Sequence, residues 1–354
     1  MASGARRTGR DKMKLFTTLI SCLDYRLDSF PGISRSARFA YAKRLRELQD
    51  RGRLYIHHLA FHRPLGIRFL QAIVPGRELA RRLLGSERVS HELLESLGVP
   101  APLLVTSLAV MGSQLLVEWA VPPGIDPGLM RDWASSLNGS SWLGWKYPVQ
   151  SCGDGEPWRR LRALQAVEPL QLRSPLVAYI LLAVLDRFRL VPLREAARLT
   201  VIAAARDLDG GSSSFELKFR LVRRYYTRMS RAFVLGRYRV FSPQDLQKAH
   251  AYIVAEAGCA EDLYAILSAG NAASHMFLGE GVAAAAALAD SKTLRGAGGL
   301  GGCVIGAWMR LRSFYAPFPY ELYDPLEGRW GLQPSGDFTE RLARAGLLRE
   351  RRSV

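Results

Sequence analysis

The stretch APLLVTSLAVMGSQLLVEWAV, residues 101–121, is the most apolar long segment of the chain, and its conformation decides the fold. Five polar residues interrupt it: Thr106, Ser107, Ser113, Gln114 and Glu118. A membrane-spanning helix needs about 20 predominantly apolar residues, so the stretch predicts a buried element of a folded domain instead. Residues 103–121 are consistent with two strands or with one buried helix, because periodicity alone does not separate the two.

The segments before this stretch predict a small region of mixed helix and strand. Residues 12–28 and 34–50 are predicted helices, and residues 54–61 a short strand. Residues 77–97 carry leucines at three- and four-residue steps, which predicts one amphipathic helix. The GVPAP segment at 98–102 ends that helix, because a proline disfavours helical geometry in the residue before it.

The second half of the chain predicts helices over most of its length. Their ranges are 174–187, 192–206, 214–236, 243–257, 260–269 and 272–290. The sequence displays no internal repeat. The predicted fold class is therefore mainly α with a few short strands: a small α+β N-terminal half followed by a helical bundle-like C-terminal half.

Stretches rich in glycine, serine and proline divide the chain into five predicted segments. The main boundary is the stretch 122–157, which also holds three tryptophans, and a glycine cluster at 296–302 predicts a flexible joint. The segments are a basic flexible tail at 1–11, an N-terminal α+β region at 12–121, a connection at 122–157, a helical basic domain at 158–295, and the glycine joint with an aromatic, proline-rich end at 296–354.

The charge of the chain is unusual for a protein of 354 residues. It has 49 Lys and Arg against 32 Asp and Glu, a net charge of +17 and an isoelectric point near 10.1. Such a surface repels itself unless a polyanion neutralises it, so we expect a polyanionic partner; a compositional bias toward arginine is the alternative. The four cysteines, Cys22, Cys152, Cys259 and Cys303, have no paired spacing. They predict neither a disulfide framework nor a zinc site and favour a reducing, intracellular compartment.

The strongest functional signal is the segment 217–244, which contains no acidic residue. Its cations are Lys218, Arg220, Arg223, Arg224, Arg228, Arg231, Arg237 and Arg239, interleaved with Tyr225, Tyr226 and Tyr238. On a helix these residues alternate along one side, where cations would contact phosphates and tyrosines would stack on unpaired bases. A further basic group, Arg35, Lys43 and Arg44, would add phosphate contacts. The alternatives are a solvated helix whose arginines pair with distant acids, and an anionic membrane surface.

The sequence displays no complete active site. His57, His58 and His62 have no acidic or cysteine ligand nearby, and Cys152 has no nearby histidine. The DLDGG turn at 207–211 is more typical of helix-capping acids than of a cation site. Walker A, GxGxxG and HExxH motifs are absent. The sequence therefore predicts no catalytic residue, no metal and no cofactor.

Residues 34–45, SRSARFAYAKRL, resemble the palm segment after the catalytic motif of narnavirus- and mitovirus-like RNA-dependent RNA polymerases, where the pattern is S-x-S-G-x-x-E-F-A-K-R. Ala40 stands at the position of its glutamate, and the chain contains no Gly-Asp-Asp. The resemblance implies a C-terminal polymerase segment, the late palm and a helical, basic thumb. It also implies a second polypeptide that supplies the carboxylates for two metal ions.

A second resemblance is to lipopolysaccharide kinases of the Kdo/heptose type. Residues 86–104, the LLVEW strand at 115–119 and the DLDG at 207–210 carry it. It implies phosphoryl transfer, but the strand lysine and the H-x-D of those enzymes are missing, so it implies a pseudokinase.

These patterns predict an RNA-binding component of a viral replication apparatus, as the non-catalytic C-terminal part of a divided RNA-dependent RNA polymerase. The expected partners are single-stranded RNA and a second polypeptide, and the expected location is cytoplasmic, with no transmembrane segment. The alternatives are a lipopolysaccharide-kinase-like protein or pseudokinase, and a structural protein that condenses nucleic acid.

Overall fold

In the computed structural model, the described residues are 24–26, 47–48, 51–52, 55–58, 61–86, 89–149, 156–169, 237–241, 249–269, 272–289, 291–315, 322–324 and 329–332. Helix and strand make up similar shares of the described residues. The prediction of a mainly α chain with a helical bundle-like second half is therefore wrong.

The described part of the chain contains fourteen strands and six α-helices. The strands are β1 (Asp24–Arg26), β2 (Tyr55–His58), β3 (Arg68–Pro75), β4 (Val105–Met111), β5 (Gln114–Val121), β6 (Ser140–Pro148), β7 (Arg237–Phe241), β8 (His250–Glu256), β9 (His275–Gly279), β10 (Val282–Leu288), β11 (Val304–Arg310), β12 (Arg312–Tyr315), β13 (Tyr323–Asp324) and β14 (Arg329–Trp330). The helices are α1 (Arg77–Gly85), α2 (His91–Ser96), α3 (Gly128–Ser136), α4 (Pro157–Gln165), α5 (Ala260–Ala269) and α6 (Ser291–Gly299).

Nine of these strands form one antiparallel sheet in the order β11-β8-β10-β9-β6-β3-β5-β4-β12. The sheet consists of two units with the same β-α-β-β-α-β topology, one from β3 to β6 and one from β8 to β11. In each unit the first strand lies between the fourth and the third, and the second strand lies outermost, which is the ferredoxin-like arrangement. The chain therefore contains an internal repeat, contrary to the expectation from sequence.

The last strand of each unit connects it to the other unit. In β6, residues 140–144 pair with β3 of the same unit, and residues 145–148 pair with β9 of the second unit. In the second unit, β11 pairs with β8, and β12, which follows after Leu311, pairs with β4 of the first unit. The two end strands of the sheet are thus consecutive in the chain, and the sheet nearly closes on itself.

Both faces of β3, β4, β5, β8 and β10 are buried, whereas Ile305 and Met309 on the outward face of β11 are exposed. On the outer face, β3, β4 and β5 pack against α1, α2 and α3, while β8 and β10 pack against α4, α5 and α6. The inner face forms a third core, whose largest members are Phe69, Tyr252 and Phe277, with Trp142 and Trp308 partly exposed at its edge. Strands buried on both faces show no apolar–polar alternation, which is why the 103–121 stretch did not separate helix from strand.

The 103–121 stretch is a hairpin, one of the two structures that its sequence allowed. Met111 pairs with Gln114, and Gly112 takes a φ of 68° at the first position of the two-residue turn. The hairpin of β9 and β10 turns at Glu280 and Gly281, both with positive φ, the backbone pattern that favours tight hairpins.

Two predicted helices of the second half are wrong. Residues 243–257 contain β8 instead, and residues 272–290 contain β9 and β10. The sequence VAAAAAL of β10 has the helix propensity of alanine, but its small side chains pack between the inner core and the outer helices. Tertiary packing therefore overrides local propensity here.

Other predicted elements are confirmed or modified. The helix at 260–269 is confirmed as α5, and the strand within 54–61 is β2. The single helix predicted at 77–97 is two helices, α1 and α2. The connection predicted at 122–157 includes α3 and β6. The proposed division of the chain into domains stays a prediction.

The prediction that the cysteines form no disulfide is also wrong. Cys259 and Cys303 are bonded to each other, with their Cα atoms 6.3 Å apart. They are 44 residues apart in sequence, so no spacing rule could pair them. None of the helices in the described part of the chain combines the length and apolarity that crossing a bilayer takes.

Candidate functional site

Most of the predicted RNA-binding residues lie outside the described residues. These are Arg35, Lys43, Arg44, Lys218, Arg220, Arg223, Arg224, Tyr225, Arg228 and Arg231. Arg237 and Arg239 lie on β7, the central strand of a small sheet with β1 and β2, so the helical ridge does not extend to them. Asp24 of β1 is the register partner of Arg239, which places an acidic residue opposite it. Contacts of these residues with RNA stay a prediction.

The inner face of the nine-stranded sheet holds a buried polar cluster centred on Glu118, whose side chain is 4% exposed. Glu118 Oε1 accepts hydrogen bonds from Lys146 Nζ at 2.8 Å and from Thr106 Oγ1 at 2.9 Å. Glu118 Oε2 accepts one from Gln71 Nε2 at 2.7 Å. The Lys146 ammonium also lies 5.0 Å from the centroid of the Phe69 ring. The carboxylate is thus paired and hydrogen-bonded, as a buried charge must be.

A β-bulge explains why Thr106 reaches this cluster. Val105 pairs with Trp119 and Ser107 pairs with Glu118, so Thr106 is an extra residue between two normal pairs. A bulge of this kind redirects the side chains of its strand, and here it turns the Thr106 hydroxyl toward the Glu118 carboxylate.

A hydrogen bond across the interior links the two units. The Tyr252 hydroxyl on β8 donates to Gln71 Oε1 on β3, and these strands are not neighbours in the sheet. Both residues are buried. Burial, and second the charge of Glu118, raise the pKa of Tyr252 well above its usual value, while Arg310 acts in the opposite direction. Tyr252 therefore stays a neutral donor at physiological pH.

Removing this hydroxyl is expected to destabilise the protein. Tyr252→Phe leaves the buried Gln71 Oε1 without its donor, which should lower the free energy of unfolding by about 1–3 kcal/mol. Urea denaturation monitored by circular dichroism measures the change. Ser136→Ala is the matched control, because it removes only an exposed hydroxyl that donates to Trp133 of the same helix. A Tyr252→Phe variant as stable as this control would contradict the assigned bond.

A second group of polar residues lies on the inner face of β8 and β11. Arg310 is buried and is the register partner of the half-buried His250. Burial, and second the positive charge of Arg310, lower the pKa of His250 below its ordinary 6.5. His250 is therefore neutral at pH 7, and the guanidinium supplies the positive charge of this group. Trp308, two residues before Arg310, shares its side of the strand.

The repeat allows the two groups to be compared position by position. In the first unit, Gln71 is flanked in register by Trp142 and Glu118. In the second unit, the same positions are held by Tyr252, Trp308 and Ala286.

Each unit has an inward tryptophan followed by a cation on the same strand face, but the positions differ: Lys146 lies four residues after Trp142, and Arg310 lies two residues after Trp308. At the position of the Glu118 carboxylate in the first unit, the second unit has the methyl group of Ala286. Ala286, Trp308 and His250 are all partly exposed, so solvent reaches this position.

Sequence patterns did not single out Glu118, Lys146, Tyr252 or Arg310, although a signal exists. Glu118 is the one charged residue of the apolar run LLVEWAV, and each cation follows a tryptophan by an even number of residues. Even spacing places two side chains on the same face of a strand. The signal carries information only once these segments are known to be strands.

Within the described residues, no group of three or more His, Cys, Asp or Glu side chains could hold a metal ion.

Comparison with known proteins gives little further information. No protein-family model matches the chain, and no curated protein matches it in sequence. Among solved structures, the siroheme decarboxylase NirDL is similar over 78% of this chain and 82% of its own, with 12% identity and a TM-score of 0.43. The same enzyme in complex with an iron-uroporphyrin III analogue is similar over 86% and 92%, with 14% identity and a TM-score of 0.44. These values are too low to assign an activity.

The predicted viral polymerase segment is wrong. The segments 250–256, 275–279 and 282–288, expected to belong to a helical thumb, are strands β8, β9 and β10 of the nine-stranded sheet. The predicted role in a viral replication apparatus depended on this segment and is wrong as well.

The kinase-like and nucleic-acid-condensing alternatives are also unsupported. The LLVEW segment lies in β5, in the middle of the first ferredoxin-like unit, and its Glu118 faces the interior.

Proposed function

We propose that the protein binds a small molecule that carries a carboxylate and a flat ring system, at the inner face of β8, β10 and β11. Ala286 carries the proposal, because it stands where the first unit places the carboxylate of Glu118. A carboxylate bound over Ala286 would be in register with Trp308, and Arg310 lies two residues further along the same face of β11. Arginine binds carboxylates through two parallel hydrogen bonds, which gives orientation as well as affinity.

The neighbouring side chains suit such a ligand. Trp308 and Trp142 are partly exposed indoles at the edge of the inner core, and flat rings pack well against indoles. His250 is neutral at pH 7, so it can donate one hydrogen bond and accept another without adding charge. Ala284 and Ala286 on the inner face of β10 leave more room than larger side chains would.

The proposal rests on the residues of the inner face and not on the activity of the similar structures. The ligand of one of those structures, an iron-uroporphyrin III analogue, is included in the test below as a large, flat compound.

Isothermal titration calorimetry with 1-naphthoate and its uncharged analogue 1-naphthamide tests the proposal, with an iron-uroporphyrin III analogue as the larger ligand. We expect at least one carboxylate to bind and the amide to bind about tenfold more weakly or not at all. Arg310→Gln should weaken carboxylate binding about tenfold or more, because hydrogen bonds to charged groups contribute about 1.5–3 kcal/mol. Arg81→Gln is the matched control, because Arg81 is exposed on α1.

Ala286→Glu provides a sharper version of the same test. It places a carboxylate at the position equivalent to Glu118, where the ligand's carboxylate is proposed to bind, so the variant should lose affinity for carboxylates. Equal affinity of the wild type, the Arg310→Gln variant and the Ala286→Glu variant for every carboxylate would refute the proposed site.

A further inference from the structure

The Cys259–Cys303 disulfide joins two junctions of the second unit. Cys259 ends the 3-10 turn Ala257–Cys259 directly before α5, and Cys303 ends the turn Gly301–Cys303 directly before β11. Both cysteines are partly exposed, so a thiol in solution can reach the bond. The bond therefore holds the start of the strand that carries Trp308 and Arg310.

The first unit secures the equivalent junction without a covalent bond. There Gly139 lies between α3 and β6, and a Cβ at this position would lie 2.5 Å from Val74 Cγ1 and 2.8 Å from the Ile73 carbonyl oxygen. The junction is thus closely packed against β3.

In the second unit, the junction between α6 and β11 is open. A Cβ at Gly298, Gly299, Gly301 or Gly302 would meet no atom within 4 Å. Glycine gives the backbone the largest conformational freedom, so this segment is held by the packing of Ala297 and Leu300, by its hydrogen bonds and by the disulfide.

The tryptophan of the proposed site is coupled to this junction. A Cβ at Gly306 would lie 2.3 Å from Trp308 Cη2, so the indole covers Gly306. The pairing register of β11 with β8 shifts between Val304 and Gly306, immediately after the disulfide. The indole therefore lies over Gly306, which follows Cys303 by three residues, so a change at the start of β11 can move it.

We propose that Cys259–Cys303 is a reversible redox switch that controls the first half of β11 and, through Trp308, the affinity of the inner-face site. A dithiol reduces the bond: the S–S bond breaks, two electrons and two protons pass to the cysteine sulfurs, and the dithiol becomes a disulfide. Reduction releases the glycine-rich junction and frees Trp308 from its position over Gly306. The effect on the ligand rests on the proposed function, whereas the effect on β11 does not.

Hydrogen exchange by mass spectrometry on the full chain tests the switch. A Cys22→Ser, Cys152→Ser background leaves Cys259 and Cys303 as the only thiols that dithiothreitol can generate. We expect reduction to raise exchange at residues 304–308 about tenfold while residues 140–144 of the first unit stay unchanged. A Cys259→Ser, Cys303→Ser variant should show the reduced behaviour with or without dithiothreitol.

Naphthoate titration of both redox states completes the test, and we expect reduction to lower the affinity about fivefold. Equal exchange of residues 304–308 in the two states overturns the switch. Faster exchange with unchanged affinity overturns its action on the site. If no carboxylate binds in either state, the proposed function fails, and the exchange measurement alone decides on the control of β11.

Discussion

Gly144→Ala is expected to lower the free energy of unfolding by about 3 kcal/mol, at the upper end of the range for overpacked positions. Gly144 on β6 lies against Gly279 on β9, where the two units join. An added Cβ would lie 2.3 Å from the Leu278 carbonyl oxygen and 2.6 Å from Gly279 Cα. Both neighbours are backbone atoms of a paired strand, so relief would require the two units to separate locally.

Urea denaturation of the full chain measures this effect, and two further variants define it. Gly279→Ala should be destabilised to a similar extent, because its Cβ would lie 2.2 Å from the Leu143 carbonyl oxygen. The double variant should lose less stability than the two single variants lose together, because both changes disrupt the same contact.

Gly298→Ala is the matched control. Its Cβ meets nothing within 4 Å and its position is helical, so it should be neutral or stabilising by about 0.5–1 kcal/mol. A Gly144→Ala variant as stable as this control would show that the units do not join through β6 and β9.

Lys146→Met is expected to cost about 3–5 kcal/mol, the range for removing one partner of a buried ion pair. The methionine fills the space of the lysine stem but leaves the Glu118 carboxylate, 4% exposed, without its cation. Gln71 and Thr106 would still donate to it, yet two neutral donors do not compensate a buried charge.

A double-mutant cycle with Glu118→Gln separates this electrostatic effect from lost packing. The single Glu118→Gln variant should cost less than Lys146→Met, because the Lys146 side chain is 24% exposed and its ammonium can move toward water. Adding Glu118→Gln to Lys146→Met should recover much of the stability, since it removes the unpaired charge. If the two single effects simply add, the pair contributes no coupling and the electrostatic account of the cluster is wrong.

Local sequence information was sufficient where an element has one exposed face or a clear end. The helix at 260–269 and the strand within 54–61 follow from apolar spacing and flanking residues, and both are present. For 103–121 the sequence narrowed the choice to two structures, and Gly112 at the hairpin turn shows which one forms. The excess of positive charge is likewise a property of the sequence alone.

Strands β8 and β10 of the second unit could not be predicted from the sequence, because their side chains are buried on both faces of the sheet. The alanines of β10 are covered on both faces, so the segment lacks the alternation of a half-exposed strand, and its local propensity favours a helix. The repeat itself consists of strand order and register, which are contacts between residues far apart in the chain.

The candidate site depends on the same distant contacts. Gln71 and Tyr252 are 181 residues apart and meet through one hydrogen bond, while Cys259 and Cys303 are joined across 44 residues. Each of these residues is unremarkable in its local sequence. Amino-acid order determined the charge, the short elements with an exposed face and the hairpin as one of two options. Only the pairing of distant strands decided which side chains share the interior, because register places Ala286 of the second unit at the position that Glu118 occupies in the first.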